Sequence, residues 1–181
     1  MKITDRNFAR SLLATSASLV AVVLLGTTAR SEELPPQGQF SITYTAVNPS
    51  PAKPIPISAT KDIVMNNLIM NASNDAGSGL LHALAGRCAL IVTIDKAAKT
   101  LDYKGNCTYT DRSGDMNFEE VSTTAPQPMS PVVAFKGTWK GGTGKYAGLT
   151  GDIDIRGEGV LATDTITQAI GRKTGSYKIV P

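Results

Sequence analysis

The stretch "RCALIVTIDKAAKTLDYKGNCTYTD", residues 87–111, most constrains how this chain can fold. Side chains alternate between the two faces of a strand, so its period is two. On the first half, Cys88, Leu90, Val92 and Ile94 share one apolar face. On the second half, Leu101, Tyr103, Gly105, Cys107 and Tyr109 share a face, opposed by Asp102, Lys104, Asn106 and Thr108. Folding the segment between Ala97 and Ala98 sets Cys88 opposite Cys107, Val92 opposite Tyr103 and Ile94 opposite Leu101. Polarity and cysteine placement thus select the same register, and a slip of one residue would turn the apolar face to water. Ala97-Ala98 cannot form a two-residue turn, which needs positive φ. The expected loop is therefore the four residues Lys96 to Lys99.

The pairing of Cys88 with Cys107 depends on the compartment. "MKITDRNFAR" carries Lys2, Arg6 and Arg10, an apolar run follows from Ser11 to Gly26, and small residues lead to Ala29 and Ser31. That is the three-part layout of a secretory signal peptide. The run is short for a membrane span, which needs roughly 20 residues. The expected organisation is a signal peptide over 1–29, cleaved after Ala29 or Ser31, a short linker over 30–37 and one domain over 38–181. No stable membrane insertion is expected after cleavage, and the location is periplasmic or secreted. In an oxidising compartment a disulfide is the default for two cysteines. Zinc would need a carboxylate besides Cys88, Cys107 and His82, the chain's one histidine, and is disfavoured. Residues 1–29 hold three of the 18 basic and one of the 15 acidic groups, so the rest has 15 basic and 14 acidic. A balance so close to neutral, with no basic patch interleaved with aromatics, argues against nucleic acid.

The remaining chain alternates in the same manner. Phe40, Ile42, Tyr44 and Ala46 oppose Ser41, Thr43 and Thr45. Val133, Phe135, Gly137 and Trp139 share a face, as do Ile153, Ile155, Gly157, Gly159 and Leu161, and Tyr177 with Ile179. "DIVMNNLIMN" and "MNFEEV" read as further strands, "NPSPAKPIP" as an extended connector, "NASNDAGSG" (71–79) and "TTAPQPMSP" (123–131) as loops. "LLHALAG" (80–86) reads as a single helical turn. About eight short strands, without a long 3.6-residue period outside the signal, argue for an all-β barrel or sandwich.

"GGTGKYAGLTG", residues 141–151, invites a phosphate-loop reading and fails it. Trp139 stands where the first glycine of a P-loop belongs, and Tyr146 where Ser or Thr belongs. A strand follows instead of a helix, so no helix N-terminus faces a ligand. A tight corner between strands is expected, with glycine wherever the chain reverses. Lys145 then reads as a solvated turn residue, with Tyr146 and Leu149 tucked beneath.

"W-x-GGTGKYAGLTG" resembles the glycine corner (Gly141, Gly142, Gly144, Gly148, Gly151) of the allene oxide cyclase and dirigent barrel group. The order "GRC" (86–88), "GNCTYTDRSGD" (105–115) and the corner is similar to that of uncharacterised exported bacterial barrels. The resemblance covers most of residues 80–155. It implies a single closed, eight-stranded antiparallel barrel, calycin-like, with an apolar interior, to which the hairpin register adds one cross-strand disulfide on the core side. In the plant members the interior holds an apolar substrate or radical product and steers its cyclisation or coupling. Their catalytic residues find no counterpart here beyond the corner.

Nothing else in the sequence declares a reaction. His82 lacks a nucleophile motif and reads as structural. Asp152, Asp154, Arg156 and Glu158 alternate with apolar residues and belong on the wet face. Asp111, Ser113, Asp115 and Asn117 are spaced like calcium ligands, but Met116 replaces the required glycine and the closing Glu is absent. No cofactor and no metal are expected. Candidate ligand-lining residues are Tyr44, Tyr103, Tyr109, Phe135, Trp139 and Tyr177. With aromatics at 6% of the chain, a filled or narrow interior is favoured. The expected function is binding of a small apolar ligand, with isomerase- or cyclase-like activity as an extension. The alternative is a non-enzymatic inhibitor or binding module of the cell envelope or extracellular space that works through its loops.

Overall fold

The computed structural model describes residues 34–180; the signal-peptide segment lies outside them. The strands are β1 (Gln37–Asn48), β2 (Ile55–Pro56), β3 (Lys61–Asn74), β4 (Leu84–Asp95), β5 (Thr100–Thr110), β6 (Met116–Ser122), β7 (Gln127–Pro128), β8 (Val132–Gly142), β9 (Leu149–Ala162) and β10 (Thr167–Ile179). Eight of them form one antiparallel sheet in the order β1-β10-β9-β8-β6-β5-β4-β3, and β3 pairs back onto β1 from Ile42↔Asn74 to Val47↔Ile69. The sheet is thus a closed eight-stranded barrel, which leaves no long edge unpaired. The two-residue strands β2 and β7 dock on β3 and β5.

The β4–β5 hairpin has the register read from its sequence: Cys88↔Cys107, Val92↔Tyr103 and Ile94↔Leu101. The turn is Lys96–Lys99, with Lys99 at φ 54 and the Asp95 carboxylate accepting from the Ala97 and Ala98 N–H groups. Cys88 and Cys107 form the disulfide across the strands, Cα atoms 4.0 Å apart. A closure over 19 residues of sequence stabilises the fold by about 3 kcal/mol in the chain-entropy account.

Two local readings are corrected. Residues 80–83 form a hydrogen-bonded turn, not a helical one: Leu81 and Ala83 take positive φ, and β4 already begins at Leu84. Leu80 and Leu81 point inward and plug the barrel end, at 1% and 0% exposure. The polar run 71–79 is also not all loop. Asn71 to Asn74 finish β3, because alternate residues Ala72 and Asn74 are buried beside β1.

The corner closes the same end. Gly141, Gly144, Gly148 and Gly151 all have positive φ. A Cβ at Gly148 would sit 1.8 Å from the Val180 carbonyl oxygen, so only glycine fits there. Tyr146 and Leu149 are buried beneath the corner. Lys145 departs from expectation. It is not solvated: its ammonium lies 2.7 Å from Asp111, and its backbone N–H donates to Asp115. The corner therefore clasps the 111–115 turn, and its cation is taken by a carboxylate. Burial opposes ionisation of Asp111, but Lys145, Ser113 and the Asp115 N–H hold its pKa down to about 2.

Leu34, Phe40, Trp139, Tyr146, Leu149, Ile153 and Tyr177 join the core cluster in this end. The Phe40 ring centroid lies 5.8 Å from that of Trp139 and 6.5 Å from that of Tyr177. Gly148→Ala is expected to lower the thermal unfolding midpoint well beyond Gly77→Ala. Gly77 has a similar φ of 75 but nothing within 4 Å of a Cβ, so it carries only the left-handed backbone cost of about 1–2 kcal/mol. Equal shifts in parallel melts would show that packing under the corner contributes nothing.

Candidate functional site: a half-filled barrel with an ion pair at its floor

The aromatic plug fills one half of the interior, and the other half is open. The expectation of a filled or narrow interior is corrected by a cavity of about 290 Å³. The error lay in treating the aromatics as evenly spread, whereas Phe40, Trp139 and Tyr177 gather at the closed end. The cavity wall is made by Ala46, Leu68, Leu90, Tyr103, Phe135 and Ile155, and its rim by Ser130, Pro131, Leu161, Ala162 and Thr167. Tyr103 and Phe135 meet edge to face at 5.1 Å. The Cys88–Cys107 disulfide and Met70 supply a patch of sulfur on the wall. Sulfur is polarizable and packs well against aromatic rings.

At the floor stands Lys173. Its side chain is 2% exposed, and it pairs with Glu119, whose side chain is fully buried. The Lys173 ammonium also donates to the Tyr109 hydroxyl at 2.8 Å, and that hydroxyl faces the Met70 thioether. The Tyr109 and Tyr44 rings lie 4.9 and 5.6 Å from the ammonium, within cation–π range. Inward-facing glycines make room for these rings: a Cβ at Gly86 would strike Tyr109, and one at Gly171 would strike Tyr44.

Isolated charges this deep are costly, so both must be paired. Glu119 reaches the interior because β6 turns Asn117, Glu119 and Val121 inward, with Glu119 beside Cys107 on β5 and Trp139 on β8. Lys173 arrives from β10, opposite Ile42 and Ile155. Glu119 Oε1, the Asn117 amide and Trp139 Nε1 have no hydrogen-bond partner among the described residues. Burial pushes the Lys173 ammonium below its ordinary 10.5, against the pull of Glu119. Burial first, and the Glu119 charge second, push the Tyr44 and Tyr109 hydroxyls above their ordinary 10.0.

Of the six residues singled out from sequence as ligand-lining, Tyr44, Tyr103 and Phe135 border the cavity. Tyr109 lies one layer deeper, against Lys173, while Trp139 and Tyr177 belong to the plug. His82 sits in the turn at the closed end, half-buried, 3.4 Å from Ser73. Asp152, Asp154, Arg156 and Glu158 are exposed, and of the four Glu158 also borders the cavity. Lys173 and Glu119 were missed. Lys173 shares its strand parity with Tyr177 and Ile179, which was a usable signal. Glu119 had none, because either face of "MNFEEV" mixes apolar and polar residues.

These features define a class: a closed antiparallel barrel with a mostly apolar internal cavity and a buried ion pair at its floor. No family model and no curated protein matches the chain. Among solved structures, the chain is similar to a pterocarpan synthase dirigent protein, at 12% identity, 83% coverage of this chain, 88% of that chain and a TM-score of 0.47. So distant a likeness carries no functional weight. Among the described residues no helix is long and apolar enough to cross a membrane.

Breaking the ion pair from one side is expected to cost about 3–5 kcal/mol, since a charge is stranded. Lys173→Met should therefore be markedly less stable in denaturant than the double variant Lys173→Met/Glu119→Gln, which restores neutrality. A double variant as weak as the sum of the singles would show that the two groups are not coupled. Alkaline behaviour follows from the phenols. Tyr44 and Tyr109 keep their protons in the folded state, while the unfolded chain loses them near 10.0. Stability present below that pH is then lost as pH rises. The lowered Lys173 pKa acts oppositely, but only up to its unfolded value of 10.5. Above that the phenols act alone. Tyrosinate absorbance from these two is expected to appear only with loss of the β-sheet circular dichroism signal, and Tyr44→Phe should flatten the alkaline limb.

Proposed function

We propose that this chain is an exported barrel that binds a small, predominantly apolar molecule in its interior. The observation that carries the reading is the cavity itself, which is apolar along most of its wall, open at one end and sealed at the other by the aromatic plug. Ligand sites are commonly concave, mostly apolar and furnished with few polar groups, and this one has that composition. Export is supported by the layout of residues 1–29 and by a disulfide that an oxidising compartment would maintain. Cyclase or isomerase chemistry would need a proton donor or acceptor at the ligand. Lys173, Tyr44, Tyr103 and Glu158 are the titratable groups that line the cavity, so catalysis, if the barrel performs it, runs through one of them.

Native mass spectrometry of the protein purified from its own host tests both parts together. The expected spectrum shows a chain beginning after Ala29 or Ser31, carrying a bound small molecule that organic solvent extracts. Ala169→Phe, which thrusts a ring from β10 into the cavity, is expected to fold and to come out empty. A wild-type protein that is empty and takes up no naphthalene-sized hydrocarbon overturns the binding reading. A full-length chain in the mature pool overturns export.

A further inference from the structure

The floor of the cavity is more selective than its wall. Resting on the binding reading above, we infer that the ligand is a neutral carbonyl compound, a ketone, lactone or quinone of about two rings, whose oxygen accepts a hydrogen bond from Lys173 Nζ.

The assignment follows from counting donors and charges. An ammonium has three N–H donors. Among the described residues Lys173 Nζ gives one to Glu119 and one to Tyr109. Lys173 also borders the cavity, so its third donor is left for whatever enters. A pure hydrocarbon would cover that donor and leave it unpaired, a penalised arrangement in a buried site. A carboxylate would satisfy it, but Lys173 is already neutralised by Glu119, and a second anion would be buried without a cation of its own. A cationic ligand would meet the ammonium directly. An alcohol can accept the bond but brings a donor that must find its own acceptor. A carbonyl oxygen accepts, adds no net charge and adds no donor. Tyr44 stands beside this point, its ring over Gly171, and fixes the approach of the ligand to the ammonium.

Size follows from volume. A cavity of roughly 150 Å³ takes up benzene, and this one is about 290 Å³. The sulfur patch and the Tyr103–Phe135 pair favour a flat, polarizable body above the carbonyl.

The test uses three probes of one shape: methyl naphthyl ketone, ethylnaphthalene and naphthoate, titrated calorimetrically into the mature protein. The ketone is expected to bind about tenfold tighter than the hydrocarbon, as befits one hydrogen bond to a charged donor, and tighter than naphthoate. Its carbonyl infrared stretch should fall in frequency on binding. In Lys173→Met/Glu119→Gln the ketone's advantage and the frequency shift should both vanish, while ethylnaphthalene still binds. If the double variant does not fold, the wild-type ranking and the infrared shift decide alone. Ketone and hydrocarbon binding equally would overturn this inference and leave the binding barrel standing. Naphthoate binding tightest would overturn it in favour of an acid ligand. No binding by any probe would remove the cavity reading along with it.

Discussion

Pairing of β1 with β3 is the constraint on which everything else depends. Those six residue pairs turn an open sheet into a barrel, and closure gives every inward side chain a shared interior. In an open sheet Lys173 and Glu119 would sit on separate strands with solvent between them. In the barrel they meet across it, and the same geometry brings Tyr44, Tyr109 and Met70 around them. An eight-stranded barrel is just wide enough for side chains to fill or for one small ligand to occupy. Which of the two prevails is decided by where the large residues fall along the axis. Here Phe40, Trp139, Tyr146 and Tyr177 fall at one end, and glycines and alanines such as Gly157, Ala46 and Ala169 fall towards the other.

The closed end shows how local chemistry enforces that division. The corner's glycines allow a reversal tight enough for Tyr146 and Leu149 to fold under it. Lys145 then reaches Asp111, while the Asp111 carboxylate also accepts from Ser113 and from the Asp115 N–H. Two carboxylates thus face a loop that, by composition alone, suggests an anion site. The same residues that would attract a phosphate are already committed to holding two turns together.

Much of this was legible because two independent signals agreed. Cysteine placement and polarity both fixed the β4–β5 register, and a strand period of two leaves no intermediate solution. The corner was legible because glycine at positive φ has few substitutes. What was not legible was axial position. Alternation says which face a residue occupies, not which neighbours share its layer, so the six aromatics could be assigned to the interior but not divided between plug and cavity. Glu119 was hidden for a related reason. In β6, Met116 and Phe118 face outward while Asn117 and Glu119 face in, an inversion of the usual pattern that only the partner Lys173, 54 residues away, makes tolerable. The segment 71–74 was misread because its polar composition outweighed the pairing with β1 that fixes it, and 80–83 because an apolar run with two residues at positive φ has no sequence mark that separates it from a helical turn.

The inversion in β6 is the more telling because stability alone does not call for it. A buried ion pair usually gains little over apolar residues of the same volume, and sometimes loses to them. An apolar pair at positions 119 and 173 would also relieve the unpartnered oxygen of Glu119. The barrel instead keeps a cation at the point where the cavity ends, steadied from beneath by Glu119 and Tyr109 and flanked by Tyr44. With two donors committed to Glu119 and Tyr109, the ammonium keeps one more at the layer where the cavity begins. Stability spent at that one layer yields a fixed polar point at the foot of an apolar well, the combination that orients a ligand where apolar walls alone would merely enclose it.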